Sequence, residues 1–186
     1  MKSGKLESTA VKDIHADIVE QCKAGDRSAQ YLLFGLYKKA MYNVALRIVN
    51  DADDAEDVLQ EAFISAFQNL GSFESRSTFG AWLKRIVVNK ALSMLKSRKE
   101  FVESLHEGFD LEEETEVGLD EVEFKVEKVK KAISLLPDGF RSVLTLYLFE
   151  GYDHKDIADI LGITVSTSKT QYLRAKNKLV QEIKKL

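Results

Sequence analysis

Proline occurs once in this chain, at Pro137, and the glycines lie mostly between periodic segments rather than inside them. With so few helix breakers, apolar residues recurring at helical spacing predict an almost entirely helical protein. Leu33, Leu36, Tyr37, Ala40, Met41, Val44, Ala45 and Ile48 mark one buried face. Ala52, Ala55, Val58, Leu59, Ala62, Phe63, Ala66 and Phe67 repeat the pattern in the next helix. The stretch GSFESRSTFG at 71–80 breaks the period and predicts a loop carrying two aromatics, Phe73 and Phe79. A third helix is expected from about Ala81 to Lys96, and helical spacing returns near Val126 and runs to the C-terminus.

Charge is distributed along these helices in blocks. Between Asp51 and Glu61 stand six acids (Asp51, Asp53, Asp54, Glu56, Asp57, Glu61) and no base. Between Arg76 and Lys99 stand seven bases (Arg76, Lys84, Arg85, Lys90, Lys96, Arg98, Lys99) and no acid. The first surface repels a polyanion and suits a basic protein partner, whereas the second attracts nucleic acid. A protein that joins another macromolecule to DNA needs both. Residues 100–123 then hold eleven acids and neither Lys nor Arg. That block repels itself and lacks apolar spacing, which predicts a mobile linker between two helical domains.

The remaining composition excludes several classes. The net charge of −3 argues against a nonspecific DNA coat. Cys22 is the only cysteine, so no disulfide can form within the chain, which suits a reducing cytoplasm. No apolar run approaches the roughly 20 residues needed to span a bilayer, and MKSGKLESTAVKD lacks the apolar core of a signal peptide. The expectation is a cytoplasmic protein with no membrane insertion. His15, His106 and His154 are scattered, and neither a metal-spaced cluster nor a phosphate-cradling glycine loop is present. No catalytic residue, metal or cofactor is expected, and the chain does not read as an enzyme.

Residues 152–178, YDHKDIADILGITVSTSKTQYLRAKNK, have helix-turn-helix form. Asp153 can cap a short helix bearing Ile157, Ala158 and Leu161, Gly162 suits the sharp turn, and Thr164 can cap the second helix. On that helix Val165, Ser168, Tyr172, Ala175 and Leu179 are expected to face inward. Thr167, Thr170, Gln171 and Arg174 occupy another face, with Lys169 beside them. Residues 161–186 carry six bases against one acid, Glu182. Such a helix can enter a major groove, with Gln and Arg suited to base edges and Lys169 and Lys176 to phosphates.

Taken together, DAEDVLQEAFISAF at 54–67, SFESRSTFGAWLKRIVVNKALSMLKSR at 72–98 and LLPDGFRSVLTLYLFEGYDHKDIADILGITVSTSKTQYLRAKNKL at 135–179 resemble a bacterial sigma factor of the extracytoplasmic-function (ECF) group, sigma-70 family. With AGDRSAQYLLFGLYKKA at 24–40, the resemblance covers most of the chain. It implies two all-α domains, at 14–99 and 126–186, joined by the acidic linker at 100–125. It implies that the first domain reads and melts the minus-ten promoter element and the second reads the minus-thirty-five element.

The resemblance also implies partners: core RNA polymerase, through its clamp coiled coil and flap, promoter DNA, and in some cases an anti-sigma factor. Carried over by position, Asp54, Asp57, Gln60 and Glu61 would meet polymerase. Phe73, Arg85, Asn89, Ser93 and Lys96 would meet the minus-ten DNA, the last four recurring on one helical stripe. One or both of Phe73 and Phe79 can instead anchor the loop in the core, and Trp82 suits either a DNA wedge or a core position. Thr167, Lys169, Thr170, Gln171, Arg174 and Lys176 would meet the minus-thirty-five DNA. Ser168 and Gln171 depart from the family pattern, which usually has Val or Ile at the first and often Arg at the second. The competing reading is a helix-turn-helix regulator that works without polymerase, but it leaves the acidic segment at 51–61 unemployed.

Overall fold

The computed structural model describes residues 13–98, Leu105 and residues 126–186. Its regular elements are helical: α1 (Ala16–Lys23), α2 (Arg27–Val49), α3 (Ala52–Gln68), a 3₁₀ turn (Leu70–Ser72), α4 (Phe79–Lys96), α5 (Val126–Ser134), α6 (Asp138–Leu148), α7 (His154–Leu161) and α8 (Val165–Lys185). Five helix starts have a local cause. The amides left open at a helix start are taken by Asp26 at α2, Asp51 at α3, Thr78 at α4, Asp153 at α7 and Thr164 at α8. Asn50 closes α2 at φ 58° and Gly162 closes α7 at φ 73°, both in the left-handed region.

Helices α2, α3 and α4 form a bundle whose centre holds Leu33, Ile48, Phe79, Leu83 and Leu95, all fully buried. Each such side chain contributes about 1.5–3 kcal/mol by leaving water. The C-terminal helices have a smaller centre of Leu136, Phe140, Leu144 and Ala175. However, Val143 and Leu146 of α6 and Ile157 and Leu161 of α7 belong to the same apolar cluster as the N-terminal bundle. The two halves are therefore packed on one another.

The end of α2 explains how. Its last carbonyls have no partner within the helix. Arg141 of α6, 3% exposed, donates to the Ile48 carbonyl through Nε and Nη2, each at 3.3 Å. Thr145 Oγ1 lies 3.5 Å from the Arg47 carbonyl, and Asn50 Nδ2 returns a bond of 3.0 Å to the Ser134 carbonyl. A guanidinium at a helix C-terminus also meets the negative end of the helix dipole. The C-terminal half thus caps the longest helix of the N-terminal half.

The acidic stretch expected to be a tether lies outside the described residues, apart from Leu105. That residue is helical and 5% exposed, and it joins the main apolar cluster.

Candidate nucleic-acid interface

Asp51 accepts the amides of Asp53 and Asp54, each at 3.0 Å, and thereby sets the start of the acidic helix. Ala55, Val58, Ala62, Phe63 and Ala66 turn inward. Asp57, Gln60 and Glu61 are left exposed, and Asp54 is half-buried. On α4, Leu83, Val87, Val88, Ala91 and Leu95 face the core, so Arg85, Asn89, Ser93 and Lys96 fall on one exposed stripe.

The two faces meet edge to edge. Lys90 Nζ lies 3.3 Å from Glu61 Oε2, and a groove lined by Val58, Glu61, Ser65, Ile86, Asn89 and Ser93 runs between the helices. At the far end Arg98 pairs with Asp54 and also lies 3.7 Å from Asp138 of α6.

The loop before α4 runs over the surface of this bundle between two buried rings. Glu74, Ser75 and Arg76 are exposed at its tip, with Ser75 left-handed at φ 55°. Its two ends close on each other, the rings of Phe73 and Phe79 standing 5.9 Å apart at 87°.

In the C-terminal half, Asp153 Oδ1 accepts the amides of Lys155 and Asp156 at 2.8 Å, and Gly162 turns the chain into α8. The backbone bond to Asp156 is the main reason that the Asp153 carboxyl sits below its ordinary pKa. Ser168, fully buried, places its hydroxyl 3.0 Å from His154 Nδ1 and so ties the two motif helices together. The imidazole in turn stacks on Tyr147 at 4.6 Å.

Two surfaces of opposite charge beside a surface loop, with a helix-turn-helix following in the chain, match known proteins over its length. Residues 33–101 match Sigma-70 region 2, and residues 127–179 match Sigma-70, region 4. The chain is 34% identical over 183 residues to the RNA polymerase sigma-H factor of Pseudomonas aeruginosa, covering 91% of this chain and 93% of that one. It is a sigma factor of the ECF group, sigma-70 family. SigW, an ECF RNA polymerase sigma factor of Bacillus subtilis, is 28% identical over 183 residues, covering 90% and 96% of the two chains. The solved structure of the sigma factor RpoE in complex with the anti-sigma factor NepR from Bartonella quintana shares the fold, with a TM-score of 0.56 and 27% identity. It covers 83% of this chain and 96% of that one.

Several expectations for this sigma factor change in the folded chain. Phe73 is not open to a DNA base: it is 5% exposed and packs with Phe79 and Trp82. Both loop aromatics are anchors, because rings of this size gain more from the core than from water. Trp82 joins them half-buried, at 5.3 Å from Phe73 and 5.7 Å from Phe79.

Gln171 does not share the open face of α8. It is 2% exposed, and its Nε2 donates to the Leu105 carbonyl at 2.8 Å. Val165, expected inside, is 41% exposed. The inward stripe of α8 runs through Ser168, Gln171 and Ala175, and polar side chains sit in it because each finds a hydrogen-bond partner. Thr170 Oγ1 bonds back to the Ser166 carbonyl, and Thr167 Oγ1 bonds the Thr164 cap. Lys169 is exposed, and Arg174 and Lys176 are partly exposed. Lys96, at the end of the α4 stripe, donates to the Ile160 carbonyl of α7 at 3.3 Å.

Among the described residues no helix is long and apolar enough to cross a membrane, and no group of three or more His, Cys, Asp or Glu is placed to hold a metal.

Proposed function

We propose that this sigma factor docks on core RNA polymerase through Asp57, Gln60 and Glu61, with Asp54 joining when Arg98 releases it. Its α4 stripe and preceding loop then read and melt the minus-ten element, and α8 reads the minus-thirty-five element. The observation that carries this reading is the edge shared by the two faces. Glu61 of the acidic face and Asn89 and Ser93 of the α4 stripe line opposite sides of one groove, with Lys90 bridging to Glu61. Polymerase bound to the first is thereby positioned against DNA held on the second.

Promoter opening requires a base to leave the stack, which costs a few kcal/mol unless a pocket receives it. In this reading the exposed tip of the loop supplies that pocket, and Arg85 and Asn89 hold the strand behind it. The packed arrangement of the two halves is then a resting form. Lys96 is engaged by the Ile160 carbonyl of the other half and Gln171 by the Leu105 carbonyl of the linker segment, so in this reading promoter recognition requires the halves to separate and Leu105 to leave α8. No chemical step is assigned to the chain, which would work in the cytoplasm beside polymerase and DNA. An anti-sigma partner fits the same reading, since RpoE, similar over most of this chain, is bound by one.

The test is a charge reversal. Asp57→Lys with Glu61→Lys should abolish binding to core polymerase in a titration while helicity is retained. Unchanged affinity would sink the docking assignment.

A further inference from the structure

The loop at 73–79 is held at both of its ends by one short N-terminal element. Where the chain returns to the bundle, the Phe79 amide donates to Asp13 Oδ2 at 2.5 Å. The other carboxylate oxygen, Oδ1, accepts the His15 amide at 2.9 Å, which fixes the carboxylate against the start of α1. Where the chain leaves the bundle, Lys23 Nζ, at the end of α1, donates to the Phe73 carbonyl at 3.1 Å. The same ammonium sits 5.6 Å from the Phe73 ring centroid and pairs with Glu20 at 2.9 Å. Behind these contacts, Tyr37 lies against the first turn of α4. A Cβ placed on Gly80 would come 2.8 Å from Tyr37 Cε1, and Tyr37 Oη lies 2.7 Å from His15 Nδ1.

We infer that Asp13 and Lys23 are positioning residues for the promoter-reading loop, holding its incoming and outgoing strands at a fixed separation so that its tip presents one shape to an unstacked base. This rests on the reading of the loop given above and adds the residues that set its geometry. The Phe79 amide is one of the open donors at the start of α4, and the Phe73 carbonyl belongs to no helix ladder. Each therefore needs a partner when the loop closes. The ring pair of Phe73 and Phe79 resists separation of the two ends but has little directional preference, whereas a charged hydrogen bond at each end fixes direction as well. A receiving site is only as selective as the groups that hold it in place.

The experiment uses holoenzyme assembled from core polymerase and the full chain, with Asp13→Ala, Lys23→Met, Lys23→Arg, a chain lacking residues 74–76, and Asp13→Ala and Lys23→Met each combined with that deletion. The readouts are permanganate reactivity of the minus-ten region, base preference in a randomised minus-ten element, duplex affinity and its salt slope. Asp13→Ala and Lys23→Met should each lower opening about tenfold, the effect of one lost charged hydrogen bond. They should also flatten the base preference, with core and duplex affinity unchanged. Lys23→Arg should restore most of the loss. In the loop-deleted chain neither substitution should have any further effect, because residues acting through one element are not additive.

Normal opening and base preference in both variants would overturn the inference. So would a parallel loss of opening and duplex binding with a lowered melting temperature, which marks a merely structural role. A salt slope reduced by about one unit in Lys23→Met would make Lys23 a phosphate contact instead. Should Asp13→Ala fail to fold, Asp13→Asn keeps one acceptor oxygen and should give an intermediate loss. Its showing no loss counts against the inference. Normal opening by the loop-deleted chain would overturn the loop's reading of the promoter and the positioning role with it. Failure confined to Asp13 and Lys23 overturns the positioning role alone.

Discussion

Arg47 of α2 donates to Glu150 Oε1 at 2.7 Å across the seam between the two halves, and the glutamate side chain is only 3% exposed. Lys84 of α4, in the same half as Arg47, lies 3.6 Å from Oε2 and donates to the Glu150 carbonyl oxygen at 2.9 Å. A buried carboxylate with two cations from the opposite half holds the seam in one register, because leaving it unpaired is costly. The apolar part of the seam, Val143, Leu146, Ile157 and Leu161, has no such directional demand.

Glu150→Ala should therefore loosen the packed form. Arg47 and Lys84 keep 36% and 29% exposure and can turn to water, so the cost is roughly 1–3 kcal/mol rather than that of a sealed pair. That shifts the balance between packed and separated forms by about 5–150-fold. Small-angle X-ray scattering of the free chain should show a larger radius of gyration, and core polymerase should bind more tightly. An unchanged radius and affinity would mean that the apolar seam alone holds the halves together.

The bond from His154 to Ser168 makes a second prediction. Ser168→Ala removes the hydroxyl from a fully buried position and should cost about 1 kcal/mol of the stability of the C-terminal half. Ser168→Thr keeps the oxygen but adds a methyl at a fully buried position, so it should not restore the wild-type value. Chemical denaturation followed by circular dichroism decides it. A neutral Ser168→Ala would show that the hydroxyl adds nothing to the packing of α7 on α8.

Acid should act on the same motif through its cap. The Asp153 carboxyl is held below its ordinary value chiefly by the Asp156 amide; desolvation opposes this, and the Lys155 amide and the Lys155 and His154 charges add smaller lowering contributions. A carboxyl with a lowered folded pKa stabilises above its unfolded pKa, and that stability is lost as pH falls through the folded value. The C-terminal half should thus weaken on acidification below the usual carboxylate range. Asp153→Asn should remove this part of the acid dependence while keeping much of the cap. Melting curves between neutral and acidic pH for the two proteins would show it, and identical slopes would remove Asp153 from the account.

What the sequence made legible was what local chemistry controls. Asp153, Gly162 and Thr164 sit where short-range hydrogen bonding and backbone freedom require them, and the α3 and α4 faces follow from helical spacing. The start of α4 at Phe79 rather than Ala81 follows from Thr78, a cap that the aromatic-rich loop obscured. The contacts that were not legible join residues distant in the chain. Gln171 meets Leu105 across 66 positions, Asp13 meets Phe79 across 66, and Arg141 meets Ile48 across 93. Nothing in the period of a helix records which carbonyl will approach it from elsewhere. A polar residue on an inward stripe therefore looks like an exposed one until its partner is placed.

Gln171 and Lys169 give the last prediction, because the fold sets them in different positions on one helix. Lys169 is exposed in the packed form, so Lys169→Ala should reduce the salt slope of promoter binding by about one unit, equally across sequences. Gln171 can donate either to Leu105 or, once Leu105 leaves α8, to a base edge, but not to both. Gln171→Arg brings a longer side chain and a charge to a site 2% exposed. It should first favour the separated form and raise the free chain's affinity for polymerase. In holoenzyme it should also move the selected minus-thirty-five sequence towards guanine at one position, since a bidentate arginine contact discriminates by about 1–3 kcal/mol. Selection from randomised minus-thirty-five elements separates the two effects. An altered polymerase affinity with an unchanged base preference would leave Gln171 as part of the internal contact only, with no hand in reading DNA.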